Sequence, residues 1–312
     1  MVDHRPRAVV FMVNGLGDHL MMLPVVRALS HAFRGRIVLA ALPVAQIVFA
    51  GVAIERFVPL RLSPTRGARA IDVDDAVANI GSADILVSLN RTCDDGVLRL
   101  AERIGAGITA GLFPEFTIHV PFDQQIHSTD LAFTIARRFD DSLELETFSA
   151  APAVGADAGR YGREFAQLFP PGVQTLIVHA DTSRDKEWRA EHLQQALDDF
   201  LSTRADFVSV VLGVRDVGLQ PGATGRILSA VGVPLDISLA LVAQGTAFLG
   251  VDSAMLHAAD LCRLPSVALF GPGDSRQFGC RFCRHEHIAA PSMAQIAVAS
   301  VLQALDRVVP RA

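Results

Sequence analysis

The chain has 312 residues with 28 Lys and Arg against 33 Asp and Glu, a net charge of −5. That balance offers no global phosphate-tracking surface, so no nucleic-acid partner is expected. Half of the residues are hydrophobic, yet no uninterrupted apolar run is long enough to span a bilayer, and cytoplasmic residence is the expectation. Four cysteines in a chain of this length do not make the disulfide framework of a small secreted domain.

In chain order, Ala8–Val13 reads as a buried strand and Asp18–Ala32 as the helix after it. Arg36–Ala41 and Ile54–Val58 read as strands, with Val44–Gly51 helical between them. Asp84–Leu89 is a further strand, and Gly96–Ile104 a helix. From Thr147 to Tyr161 the composition turns to Ala, Pro, Gly and Asp without periodicity, as in a linker. A second alternating series follows: strand Thr175–His179, helix Glu191–Leu201 and strand Phe207–Leu212. Ile227–Ala230 and Ile237–Gln244 read as helical. Strand Ala247–Gly250, helix Leu256–Cys262, strand Ser266–Phe270 and helix Met293–Arg307 complete the chain. Such alternation implies parallel sheets with right-handed crossovers. The expectation is an α/β protein of two Rossmann-like domains, 1–150 and 151–312, facing across a cleft, with the last helix packing back on the N-terminal domain.

Three segments at strand ends carry side chains suited to chemistry. The first is Asn14-Gly15-Leu16-Gly17-Asp18, where glycines permit a tight turn and a helix start favours an anion. It is not the dinucleotide fingerprint, because Leu20 stands at the sixth position from Gly15, and this disfavours a Rossmann dehydrogenase. Asp18 is either the N-cap of the helix or a general base for a substrate hydroxyl. The second segment runs from His179 to Trp188, with Thr182, Ser183, Arg184 and Lys186 after a strand. Hydroxyls and a cation placed there suit a diphosphate, while the plainer alternative is a solvated loop with Trp188 as a packing anchor.

The third segment is Phe248–His257. Asp252 ends an apolar run, and the N–H groups of Ser253, Ala254 and Met255 open a helix, as a sugar hydroxyl and a phosphate would require. His257, one turn on, has a core position as its bland alternative. Arg61, Arg66 and Arg69 form a basic loop that either reads an anionic acceptor or is simply solvated.

Cys280, Cys283, His285 and His287 have the chemistry of a zinc or iron site. The H-x-H spacing is narrower than usual, however, and free thiols on an exposed loop with no metal are the expectation. Cys93 and Cys262 read as small buried apolar residues.

In this order the motifs resemble those of the lipopolysaccharide heptosyltransferases, glycosyltransferase family 9. Gly15-Leu16-Gly17-Asp18 with Pro24, Arg27 and Leu29 is similar to the family's opening pattern. His179–Trp188 is similar to its central one. Gly250–Ala259 followed by Pro265–Pro272 is similar to its D-[ST]-G signature.

The resemblance implies the GT-B fold and an inverting transfer that requires no cofactor. A sugar would pass from a nucleotide sugar, typically ADP-heptose, to a glycan or glycolipid acceptor, with peripheral contact at the cytoplasmic face of the inner membrane. It implies Asp18 as general base, with Asn14, Gly15, Gly17, Arg61 and Arg66 on the acceptor side. Thr182, Ser183, Lys186, Asp252, Ser253, Ala254, Met255 and His257 would be on the donor side, and Asp216 is the candidate ribose contact. Ala254 departs from the family glycine, and Asp181 places an acid beside the expected diphosphate. A protein or small-metabolite acceptor, or a nucleotide-sugar-binding protein without catalysis, are the alternatives.

Overall fold

A computed structural model describes residues 6–63, 70–91 and 95–309. Arg66, Arg69 and Cys93 lie outside the described residues. The chain divides into two compact units, Met1–Ala150 and Ala151–Ala312.

The first unit runs β1 (Ala8–Met12), α1 (Leu16–Ala32), β2 (Ile37–Ala41), α2 (Ala45–Val48), β3 (Arg56–Pro59) and α3 (Val73–Ile80). It continues with β4 (Ile85–Ser88), α4 (Asp95–Arg103), β5 (Ile108–Gly111), β6 (Ile118–His119), α5 (Ser128–Arg137) and α6 (Leu145–Phe148). Its sheet is parallel in the order β3-β2-β1-β4-β5-β6. The central strands are apolar on both faces because helices cover both: every residue of β1, β2 and β4 is buried. Arg27, in the opening motif, donates to the carbonyls of Phe148 and Ala150 and so ties α1 to the end of this unit.

The second unit runs α7 (Ala156–Ala166), β7 (Gln174–His179), α8 (Ala190–Thr203), β8 (Phe207–Gly213), β9 (Ile227–Val231) and α9 (Leu235–Ala243). Then come β10 (Ala247–Val251), α10 (Ala254–Leu261), β11 (Ser266–Phe270), α11 (Ser275–Phe278), β12 (His285–Ala289) and α12 (Val298–Val308). Its sheet is also parallel, in the order β12-β11-β10-β7-β8-β9. Val301, Ala304, Leu305 and Val308 of α12 are buried in this unit's core with Leu193 and Leu197 of α8, so the closing helix packs within the second unit.

Each sheet has a topological switch point, where successive crossovers leave in opposite directions and the loops beyond the strand ends part. In the first unit it lies between β1 and β4, in the second between β7 and β10. Several elements differ from the sequence expectation. Ile227–Val231 is an edge strand, not a helix, and the linker is shorter because Ala156–Tyr161 begin α7. Among the described residues, no helix is long and apolar enough to cross a membrane.

Candidate functional site

The first-unit cluster stands at its switch point. The loop after β1 carries Asn14 to Asp18, and the loop after β4 carries Leu89 to Arg91. The two are stitched together: the Val13 N–H donates to Asn90 Oδ1 at 3.0 Å, and Asn14 Nδ2 donates to the Leu89 carbonyl at 3.4 Å. Helix α1 begins at Leu16, two residues before the sequence reading put it. Asp18 is therefore the third residue of the helix and not its N-cap, and Gly17 belongs to the first turn. Asp18 Oδ2 accepts the Gly15 N–H at 3.0 Å, closing half of a capping box.

Asp18 lines a narrow pocket of about 10 Å³, room for about one water, with Asn14, Met22, Leu89, Arg91 and Leu131. Arg91 faces it. Burial lowers the guanidinium's pKa while the Asp18 charge raises it, and the guanidinium lies 4.9 Å above the Phe122 ring. The cavity combines a half-buried carboxylate, a cation and an apolar wall. Arg61 is not part of it. It follows the edge strand β3, it is exposed, and it pairs with Asp75 at 3.8 Å.

The second-unit cluster lies between the loops after β7 and β10. Lys186 Nζ is 2.7 Å from Asp252 Oδ2, and the Thr182 hydroxyl donates to the Asp252 carbonyl at 3.2 Å. Asp252 is buried, whereas Lys186 keeps a third of its side chain in solvent. Immediately after Asp252, Ser253 is the N-cap of α10 in extended conformation, and its side chain makes no capping bond. The first N–H groups of α10 have no intrahelical acceptor, as at any helix start, and carry the positive end of its dipole.

Two buried polar atoms of these segments have no hydrogen-bond partner, Ser253 Oγ and His179 Nδ1. Burial lowers the His179 pKa to about 4, against a smaller rise from Asp181. The turn Gly271–Asp274 passes over the same carboxylate. A Cβ on Gly273 would stand 2.7 Å from Asp252 Oδ2, so only glycine fits there without displacing Asp252.

The acid at Asp181 is turned toward the end of β8. Its Oδ2 accepts the N–H groups of Val214 and Arg215, both at 2.8 Å, and Arg215 Nε donates to Oδ1 at 2.9 Å. Burial alone would raise this carboxyl's pKa. The two N–H groups and the guanidinium outweigh it and hold the group below its ordinary range. Arg215 also bonds the Thr182 carbonyl at 2.9 Å and pairs with Glu187, so one side chain braces the whole 181–187 loop.

Arg215 and Gly273 were not singled out from the sequence. The glycine had a signal in the Gly-Pro-Gly-Asp turn; the arginine had none. Asp216 does not join the cluster: it is exposed, and its carboxylate accepts the Gly218 N–H at 2.8 Å. Ser183 is exposed and its hydroxyl bonds Asp185. His257 is buried within α10, and Trp188 is a packing anchor whose Nε1 donates to the Ile296 carbonyl at 3.2 Å.

The cysteine–histidine segment is not an exposed loop. Cys280 is buried, Cys283 is half-buried, and His285 begins strand β12. The two sulfurs and a His285 ring nitrogen lie within 4.8 Å of one another. The Cys280 thiol donates to Cys283, which raises the first thiol well above its usual pKa and lowers the second to about 7. His285 is raised by the same sulfur. Cys262 is a separate thiol, pushed up to about 12 by burial.

No protein-family model matches the chain, and no curated protein matches it. Solved structures do. A glycosyl transferase family 9 structure from Veillonella parvula superposes with a TM-score of 0.79 at 17% identity, covering 99% of this chain and 98% of that one. The ADP-heptose lipopolysaccharide heptosyltransferase II of E. coli has a TM-score of 0.72 at 14% identity, with 97% and 98% covered. The E. coli heptosyltransferase WaaC with ADP has 0.71 at 16%, with 96% and 99% covered. At these identities the likeness establishes the fold, the α/β GT-B architecture that the motifs implied.

Proposed function

We propose that this chain is an inverting glycosyltransferase of the heptosyltransferase type. It would move a sugar, a heptose from ADP-heptose in the favoured reading, to a hydroxyl of a glycan or glycolipid acceptor. The observation that carries the reading is the Lys186–Asp252 pair at the β7/β10 switch point, beside the open start of α10. A cation and converging N–H groups at a strand end are what a diphosphate leaving group needs. Solved structures of the same fold include heptosyltransferases, and one of them was determined with ADP-2-deoxy-2-fluoro heptose.

In this reading the unit 1–150 takes the acceptor and the unit 151–312 takes the donor. Asp18 has one carboxylate oxygen fixed by Gly15, and the other accepts the proton of the acceptor hydroxyl. The acceptor oxygen attacks the anomeric carbon from the face opposite the nucleotide. The bond from that carbon to the phosphate oxygen breaks, and its electron pair stays on the diphosphate. Lys186 and the first N–H groups of α10 stabilise the negative charge that gathers there, without a catalytic metal. Asp252 holds donor-sugar hydroxyls, and Thr182 steadies the diphosphate. Ala254 keeps the backbone N–H that glycine would offer, since the first turn of a helix needs no positive φ.

Calorimetry with ADP, ADP-heptose, UDP-glucose and GDP-mannose tests the donor side. ADP and ADP-heptose should bind, and Lys186→Ala should weaken both by tenfold or more. No binding of any nucleotide sugar by the wild type would sink the transferase reading. Donor binding without turnover on any glycan, protein or small-molecule acceptor would favour the inactive binding protein.

A further inference from the structure

We propose that Cys280, Cys283 and His285 form a binding site for a soft divalent metal ion, zinc by preference, outside the reaction chemistry. Both sulfurs and one imidazole nitrogen already lie within 4.8 Å of each other. Tetrahedral zinc with Zn–S near 2.3 Å and Zn–N near 2.0 Å puts its ligands about 3.5–3.8 Å apart, so closing on an ion needs a contraction of at most about 1.3 Å. Side-chain rotation supplies that without moving the backbone.

The backbone is fixed beforehand. Asp260, buried near the end of α10, accepts three successive N–H groups, from Arg281 at 2.9 Å, Phe282 at 2.8 Å and Cys283 at 2.9 Å. This grip bends residues 280–283 so that two cysteines three apart share one side.

His285 Nδ1 lies 2.9 Å from the Cys283 carbonyl oxygen, which can only accept, so Nδ1 carries a proton and Nε2 is the nitrogen left to ligate. Neutral imidazole is the ligating form. His287 is excluded from the ligand set. Its Nε2 accepts the Cys280 N–H at 2.9 Å, and its ring stacks on His285 with centroids 4.3 Å apart. Two thiolates and one imidazole select zinc over the hard cations, and three protein ligands leave a fourth position for water or another exogenous donor. Cys283 is half-buried and His285 exposed, which gives the ion a way in. Once bound, it staples the segment after α11 to the start of β12.

The full chain, reduced and freed of metal, should take up one equivalent of zinc by elemental analysis after dialysis. It should also protect two thiols from a disulfide thiol reagent. Cobalt should give thiolate-to-metal charge-transfer absorption. Cys283→Ser, at a half-buried position that tolerates a smaller polar group, should abolish both signals. His285→Ala should keep the sulfur absorption, shift the visible cobalt bands and weaken zinc at least tenfold. Cys262→Ser should change nothing. Less than a fifth of an equivalent of zinc with no cobalt–thiolate absorption in the reduced protein overturns the proposal, as does uptake that survives Cys283→Ser. These readouts involve no nucleotide sugar, so the site stands or falls separately from the transferase reading.

Discussion

Asp18 shows how much a single position can do in this fold. Its carboxylate completes the start of α1 through Gly15 and faces the cavity shared with Arg91. Asp18→Asn keeps the shape and can still accept the Gly15 N–H, but it cannot take a proton. Turnover should fall by about 10²–10⁴-fold, the usual worth of a positioned base, while calorimetric donor affinity stays within a factor of two. Full turnover in this variant would remove the base assignment alone.

His179 makes a second residue-level prediction, in pH. Its pKa is lowered to about 4 by burial, from 6.5. Between those values the unfolded chain takes up a proton that the folded chain refuses, so stability should decline as pH falls from about 6.5 toward 4. The loss should approach ~3 kcal/mol, at about 1.4 kcal/mol for each pH unit. Above that window His179 contributes no pH dependence. Urea unfolding followed against pH should lose this component in His179→Gln.

The placement of Asp18 and Lys186 beyond strand ends was legible in the sequence because an apolar run, read as a buried strand, precedes each. Arg215 and Asp260 were not. Their partners lie 34 and 21–23 residues away in the chain, and only the sheet order brings them together.

Elements were legible wherever burial on two faces wrote a long apolar run, as in β1, β2, β7, β8, β10 and β11. The misses lie at the margins of the sheets. Ile227–Val231 is five residues with one side half-exposed, too short for periodicity to separate strand from helix. His285–Ala289 reads as ligand chemistry, yet it is also an edge strand, with Glu286 and His287 half-buried. No assignment was offered between Ile104 and Thr147, where β5, β6, α5 and α6 lie. The strands there are four and two residues long and carry little pattern.

Helix α10 is open to single changes at both of its ends. Its first turn belongs to the candidate donor cluster, and Asp260 near its last turn holds three backbone N–H groups. Asp260→Ala leaves those three partly buried donors without their acceptor. It should cost ~2–4 kcal/mol of stability, seen as a lower urea midpoint with an unchanged slope.

At the scale of the molecule, both units repeat one design: a six-stranded parallel sheet, apolar within, with polar residues at the switch point. The alternation of strands and helices made this design readable, since parallel strands need crossovers and both faces of the sheet must then be covered. The pairing of loops at the switch points was not readable, because strand order is a long-range property. If the donor belongs to the second unit, ADP should slow amide hydrogen exchange in 151–312 and leave the cavity around Asp18 unprotected. Mass spectrometry of peptides from both units decides this. At a hundredfold excess over Kd, ADP should add about 2.7 kcal/mol to the stability of whatever cooperative unit binds it. Equal protection in both units would reject the division of labour.

The Lys186–Asp252 contact has one more consequence. A cation that already holds a carboxylate 2.7 Å away is not an idle anion trap. An incoming phosphate must outcompete a neighbour that is tethered and never diffuses away. The internal carboxylate thus acts as a resident competitor, setting a threshold that multiply charged ligands clear more easily than singly charged ones. Asp252→Asn should lift that threshold. Inorganic phosphate and ADP should then bind more tightly, with a steeper loss of affinity in salt, while the margin by which a nucleotide sugar outbinds its bare nucleotide shrinks. Selectivity would then reside in an interaction that the empty protein makes with itself.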